Sequence, residues 1–250
     1  MFIPLPLIIF TGLEHTLQIV MVVCFSDYAL KMLDSRDNYY VVKNKLILIL
    51  LGMLVIMSRY EGIFLIAVFS VLFIKEKRLL YPAILVLASM VPIIVFGIYS
   101  IDNGSYLFPN SILLKGDMPG LSLAGNVLFM FKAIFNLVLN LQVLMLILAG
   151  LILIFLSKKY MPMNKKPVNM MYVLVSLTLL HGIFAKFIFF RYEAYLIALG
   201  ILFVAATLHE LFMSGIINKK FCLICLIFIA PFMVRAVGCL VLIPQASKNI

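Results

Sequence analysis

The chain has 250 residues, of which 65% are hydrophobic and only 12% charged, and it carries a formal net charge of +10. The charged content is about half the ~25% of soluble domains, which excludes an ordinary soluble globular protein. The positive balance does not indicate nucleic acid, because the basic residues are spread through short segments between apolar runs, where the positive-inside rule accounts for them.

In chain order, MFIPLPLIIF (Met1 to Phe10) is too short and too proline-broken to cross a bilayer, and it lacks the basic start and cleavage site of a signal peptide. Gly12 to Leu33 is the first run of spanning length, followed by the charged stretch Asp34 to Lys45. Leu46 to Met57 and Ile63 to Ile74 are shorter apolar arms on either side of Arg59-Tyr60-Glu61-Gly62, and Lys75 to Arg78 follows them. Pro82 to Ile101 predicts a spanning helix, and Asp102 to Gly125 a polar segment. Asn126 to Leu156 predicts an amphipathic lead-in and then another span. Ser157 to Lys166 reads as a loop. Asn169 to Phe190 and Ala194 to Phe212 read as helices hinged at Phe190-Arg191-Tyr192-Glu193, and Phe221 to Ile243 as the last helix. Residues 1–250 therefore predict one all-α, polytopic transmembrane bundle of about six full spans plus a short helical hairpin.

Basic residues at Lys31 to Lys45, Lys75 to Arg78, Lys158 to Lys166 and Lys219-Lys220 assign four loops to the cytoplasmic side. Both ends of Leu46 to Ile74 then lie on that side. Each arm of about 14 residues reaches roughly 21 Å, short of the ~30 Å hydrocarbon core, so the stretch predicts a hairpin with Arg59 and Glu61 at its tip. The other charged clusters fall on the opposite face. A charge at mid-bilayer costs roughly 3 kcal/mol on insertion scales, so such groups are expected to face a cavity or a substrate.

Each cluster also has a plain structural reading. Glu14, three residues after Thr11, fits a capping box in the first turn of its helix, and a lone histidine such as His15 beside it is more often simply hydrogen-bonded than a titrating group. Arg59 and Glu61 are two apart, a spacing that implies a turn or two different partners. Pairing with each other would pin the hairpin, and cross-pairing with Arg191 and Glu193 is the alternative. In the outer loop Pro109 makes Phe108 extended, Asn110 and Ser111 can cap or bind a polar ligand, and Lys115 can reach a phosphate. Cys222 and Cys225 form a CxxC with no second pair or nearby histidine, and Cys24 and Cys239 lie in apolar runs. All four read as lipid- or core-facing thiols rather than metal ligands.

Thr11-Gly12-Leu13-Glu14-His15, the Arg59 to Gly62 hairpin, Phe108 to Lys115 and Phe190 to Glu193 together resemble the GT-C superfamily of polytopic glycosyltransferases, with the bacterial arabinofuranosyl- and mannosyltransferases nearest in feel. The resemblance matches Glu14 to the acid of an SG-E-like helix start and Arg59 with Glu61 to an R-P-E-like pair. It matches Asn110 and Lys115 to a P-N…K loop and Arg191 with Tyr192 to an R-Y turn. Tyr60 departs from it by replacing a proline, and no proline follows Tyr192. The resemblance implies a polyprenyl-phosphate sugar donor, a glycan or lipid acceptor of the cell envelope, inversion at the anomeric carbon and an active face away from the cytoplasm of a bacterial plasma membrane. Glu14, His15, Arg59, Glu61, Asn110, Lys115, Arg191, Tyr192 and Glu193 are then the expected substrate-binding set. The implied base is an aspartate in an outer loop preceding the Thr11 motif. The expectation is therefore that an upstream segment supplies it and that this chain alone is inactive, with Glu14, Asp102 and Asp117 as fallback bases. The motifs indicate no metal site, fix no cofactor and leave a divalent cation open. Membrane lipids are partners in any case. The rival readings are a transporter or flippase for a lipid-linked or anionic substrate, and a non-catalytic membrane subunit.

Overall fold

The computed structural model describes residues 13–34, 42–104, 106, 126, 127, 129, 131, 134, 135, 141–184 and 194–217, with side chains from Thr16 in the first helix and from Val143 in the fifth. Among them are seven helices and no strand: α1 (Leu13–Asp34), α2 (Val42–Ser58), α3 (Gly62–Lys75), α4 (Leu80–Asp102), α5 (Leu141–Tyr160), α6 (Lys165–Phe184) and α7 (Ala194–Met213). Five of these, α1, α4, α5, α6 and α7, are long and apolar enough to cross a membrane. The expected last span, Phe221 to Ile243, lies outside the described residues. The expected hairpin is α2–turn–α3.

Three boundaries differ from the sequence reading, for local reasons. Helix α2 starts at Val42 and takes in Lys43, Asn44 and Lys45, and the Tyr28 hydroxyl donates to Asn44 Oδ1 at 3.1 Å, tying the new first turn to α1. Its 17 residues reach roughly 25 Å, still short of the hydrocarbon core. Helix α5 runs on through Lys158 and Lys159, which stand in its last turn where cations suit the helix dipole. Helix α6 begins at Lys165 and accommodates Pro167 in the first turn, where its missing N–H would have no partner anyway.

One buried core runs through all seven helices, from Phe25 and Leu30 through Phe69, Phe73 and Tyr81 to Leu174, Leu199 and Leu211. Lipid tails are as apolar as these side chains, so close contact rather than the hydrophobic effect must hold the helices together. Gly150 illustrates this: a Cβ there would come within 2.5 Å of Val175 Cγ2, so the α5 backbone lies directly against the Val175 side chain of α6. Helix α6 is the most enclosed of the spanning helices, flanked by α5, α7 and α3.

The lysine-bearing connections gather at one end of the bundle. After the left-handed Lys77, the Arg78 guanidinium donates to the carbonyls of Met32 and Leu33, supplying partners to the last turn of α1. Lys165 pairs with Glu76 at 3.1 Å, and Asn164 reaches Glu210 at 3.4 Å. These contacts join the ends of α1, α3, α6 and α7, as the basic residues predicted they should share a side.

Candidate functional site

The opposite end is built around the hairpin turn. Gly62 lets α3 start there, since a Cβ would collide with the Val55 side chain and sit 2.9 Å from the Val55 carbonyl oxygen. The turn is closed by Arg59 N–H to Val55 O at 3.3 Å and by the amides of Gly62 and Ile63 to the carbonyls of Arg59 and Tyr60, each at 3.0 Å. In this conformation Arg59 and Glu61 point the same way. Arg59 Nε donates to Glu61 Oε2 at 3.1 Å and Nη2 to Oε1 at 2.9 Å, a two-pronged ion pair with side chains 13% and 24% exposed. The pairing within the turn is formed, and Arg191 and Glu193, the partners of the alternative, lie outside the described residues.

Burial pushes the Glu61 carboxyl up, but the hydrogen bonds and charge of Arg59 outweigh it and hold the group below its ordinary value near 4.5. Beside the pair, His181 of α6 is fully buried, with Nδ1 3.0 Å from the Tyr195 hydroxyl of α7. The charges of Arg59 and Glu61 act on both groups. Phe64, one turn into α3, meets His181 edge-on with ring centroids 6.4 Å apart and stacks on Phe184 at 6.0 Å. Tyr60 lies edge-on to Phe96 of α4 at 6.3 Å, and Ala194 packs against Ile19 of α1. An ion pair, an imidazole and a phenol thus sit together in a ring of aromatic side chains.

No protein-family model, curated protein or solved structure matches this chain.

The other expected site residues are placed unevenly. Glu14 and His15 stand in the first turn of α1, at the hairpin end of the bundle, with side chains outside the description. Asp102 is the last residue of α4 and is exposed at that same end. Asn110, Lys115, Asp117, Arg191, Tyr192 and Glu193 lie outside the described residues. The described helix ends that lead into their segments, Asp102 of α4, Phe184 of α6 and Ala194 of α7, all belong to the hairpin end. Among the described residues no group of three or more His, Cys, Asp or Glu is arranged to hold a metal. Cys24 is exposed on α1.

Sequence reasoning missed several buried polar residues, among them His181, Tyr195 and Gln18. His181 had a usable signal, because an ionisable side chain inside an apolar run is expected to be functional by default. Gln18 lies 1% exposed on α1, and its Nε2 has no hydrogen-bond partner among the described residues. It belongs to the same Thr11 to Gln18 stretch that carries the motif at the start of α1.

Proposed function

We propose that this chain is a membrane glycosyltransferase of the GT-C kind, or part of one, which transfers a sugar from a polyprenyl-phosphate donor to an envelope acceptor. The chemistry would take place on the face opposite the lysine-bearing loops. The observation that carries the reading is the Arg59–Glu61 pair, held in a hairpin turn against His181 and Tyr195, at the end of the bundle where α1 begins and from which the Asn110 and Arg191 segments depart. A charge pair placed there is costly in a membrane protein unless it serves a polar ligand or pins the turn.

In this reading the base takes the acceptor's hydroxyl proton, and cations stabilise the departing lipid phosphate. The Nε–Nη2 edge of Arg59 already holds Glu61, so Arg59 and Glu61 shape the sugar pocket. The phosphate contacts fall to Lys115 and Arg191. The base is Glu14, Asp102, Asp117 or an aspartate of a preceding segment.

The test is label transfer from a radioactive polyprenyl-phosphate sugar in membranes carrying the protein. Transfer that disappears in Glu61→Gln while the protein stays folded supports the reading. Absence of transfer, with counterflow of an anionic solute into proteoliposomes, replaces it with the transporter reading. One observation favours that rival: Ser26, Ser70 and Thr207 are buried in the bundle interior, and their hydroxyls have no partner among the described residues. Sidedness is checked separately. A cysteine in place of Asn103 should react with an impermeant thiol reagent from outside, and one in place of Asn164 only after permeabilisation.

A further inference from the structure

At the lysine-bearing end, α6 lies between α3 and α5 and exposes part of Tyr172 between them. Two ammonium groups converge on that one ring: Lys75 Nζ, from the last turn of α3, is 4.8 Å from the ring centroid, and Lys158 Nζ, from the last turn of α5, is 5.2 Å from it. The ring face attracts each cation, but two like charges on a single ring repel one another and leave a local excess of positive charge. The acid nearest in sequence, Glu76, is taken by Lys165 through both carboxylate oxygens at 3.1 and 3.2 Å. Among the described residues neither Lys75 nor Lys158 has a carboxylate partner.

On the same three helices, exposed apolar side chains stand nearer the bundle's middle than the two lysines: Val71 and Ile74 on α3, Leu151 and Phe155 on α5, and Leu179 on α6. Tyr172, Ser176 and Leu179 follow one another at helical spacing along the floor between the two flanking helices. Cations at headgroup depth above a strip of exposed aliphatic side chains match a phospholipid in both halves. The charge suits the phosphodiester, and the strip suits an acyl chain.

We propose that the cleft formed by Lys75, Tyr172 and Lys158 is a binding site for one anionic phospholipid. The headgroup phosphate lies at the exposed edge of the Tyr172 ring, within reach of both ammonium groups, and an acyl chain lies along α6. The site is at the opposite end of the bundle from the Arg59–Glu61 turn and does not depend on the function proposed for that turn.

The experiment titrates phosphatidylglycerol into the delipidated full chain and counts bound lipids by native mass spectrometry. Each lysine near an anionic lipid surface contributes about fivefold in affinity, so Lys75→Gln/Lys158→Gln should weaken the tightest site about 25-fold. Lys75→Arg/Lys158→Arg keeps both charges and should stay within about threefold of the parent. Lys31→Gln/Lys43→Gln removes the same charge from the same end of the bundle, away from the cleft, and should leave the tightest site unchanged. Phosphatidylcholine should bind this site weakly, and glycerophosphate should not displace phosphatidylglycerol. Equal weakening by both glutamine pairs, loss in the arginine variant, or phosphatidylcholine binding as tight as phosphatidylglycerol would overturn the proposal. Displacement by glycerophosphate would do so too, by showing a free-phosphate site without an acyl groove.

Discussion

The two ends of the bundle use charge in opposite ways. At the lysine-bearing end, contacts run between helices far apart in sequence, the hydrogen bonds of Arg78 are half-buried, and the ion pairs are exposed on at least one side: Lys165 is 67% exposed in its pair with Glu76. At the hairpin end, the one ion pair among the described residues joins side chains two apart, is mostly enclosed, and abuts a second buried polar pair. Exposed pairs are screened and worth little, whereas a buried pair that loses one partner strands a charge away from water. Among the described residues, the exposed ion pairs stand where they matter little to stability, and the one enclosed ion pair is confined to a single turn.

The sharpest way to break that comparison is Arg59→Leu. It leaves the Glu61 carboxylate enclosed without its bidentate partner, and the expected loss is about 3 kcal/mol of unfolding stability, read by thermal or denaturant unfolding of the purified protein. The pH dependence should agree in sign. Glu61 titrates below its ordinary value, so its contribution is fully present above pH ~4.5 and is lost as pH falls through the depressed value. Glu61→Gln should flatten that acid limb, and an unchanged limb in the variant would assign the acid sensitivity elsewhere.

Next in size is Gly62→Ala. The new methyl meets the Val55 side chain and also the Val55 carbonyl oxygen, which cannot swing aside, so about 2 kcal/mol should be lost, with α2 and α3 displaced from one another. Wild-type stability in Gly62→Ala would mean that the turn is looser than its hydrogen bonds indicate.

Arg78→Lys probes the other end at its strongest point. It keeps the charge but loses the fork onto the carbonyls of Met32 and Leu33, and about 1.5 kcal/mol should go with it. Spin labels on α1 and α4 should report the same loosening at that end only.

The smallest effect belongs to Lys165→Ala, at about 0.5 kcal/mol, which should vanish in 1 M salt where the screening length is ~3 Å. If Lys165→Ala proved as damaging as Arg59→Leu, the contrast between the two ends would not hold.

By itself, the sequence determined the class of the protein and the run of its helices. Hydropathy and segment length are constraints that a bilayer imposes along one dimension, so Leu80–Asp102 or Ala194–Met213 could be read directly from composition. The lysines likewise determined which connections share an end, and the short arms beside Arg59 and Glu61 determined a hairpin. What neighbours what across the bundle was decided only by the tertiary structure. Tyr195 is fourteen residues from His181 in the chain and 3.0 Å from it in space. Lys75 and Lys158 have all of α4 and most of α5 between them in the chain, yet they share the ring of Tyr172. Lateral pairing in lipid depends on close packing at points such as Gly150 against Val175, where an apolar sequence offers many nearly equivalent faces and only the assembled helices select one. The Arg59–Glu61 pair is of the same kind, because the backbone of the turn, tightened by Gly62, is what brings these two side chains together.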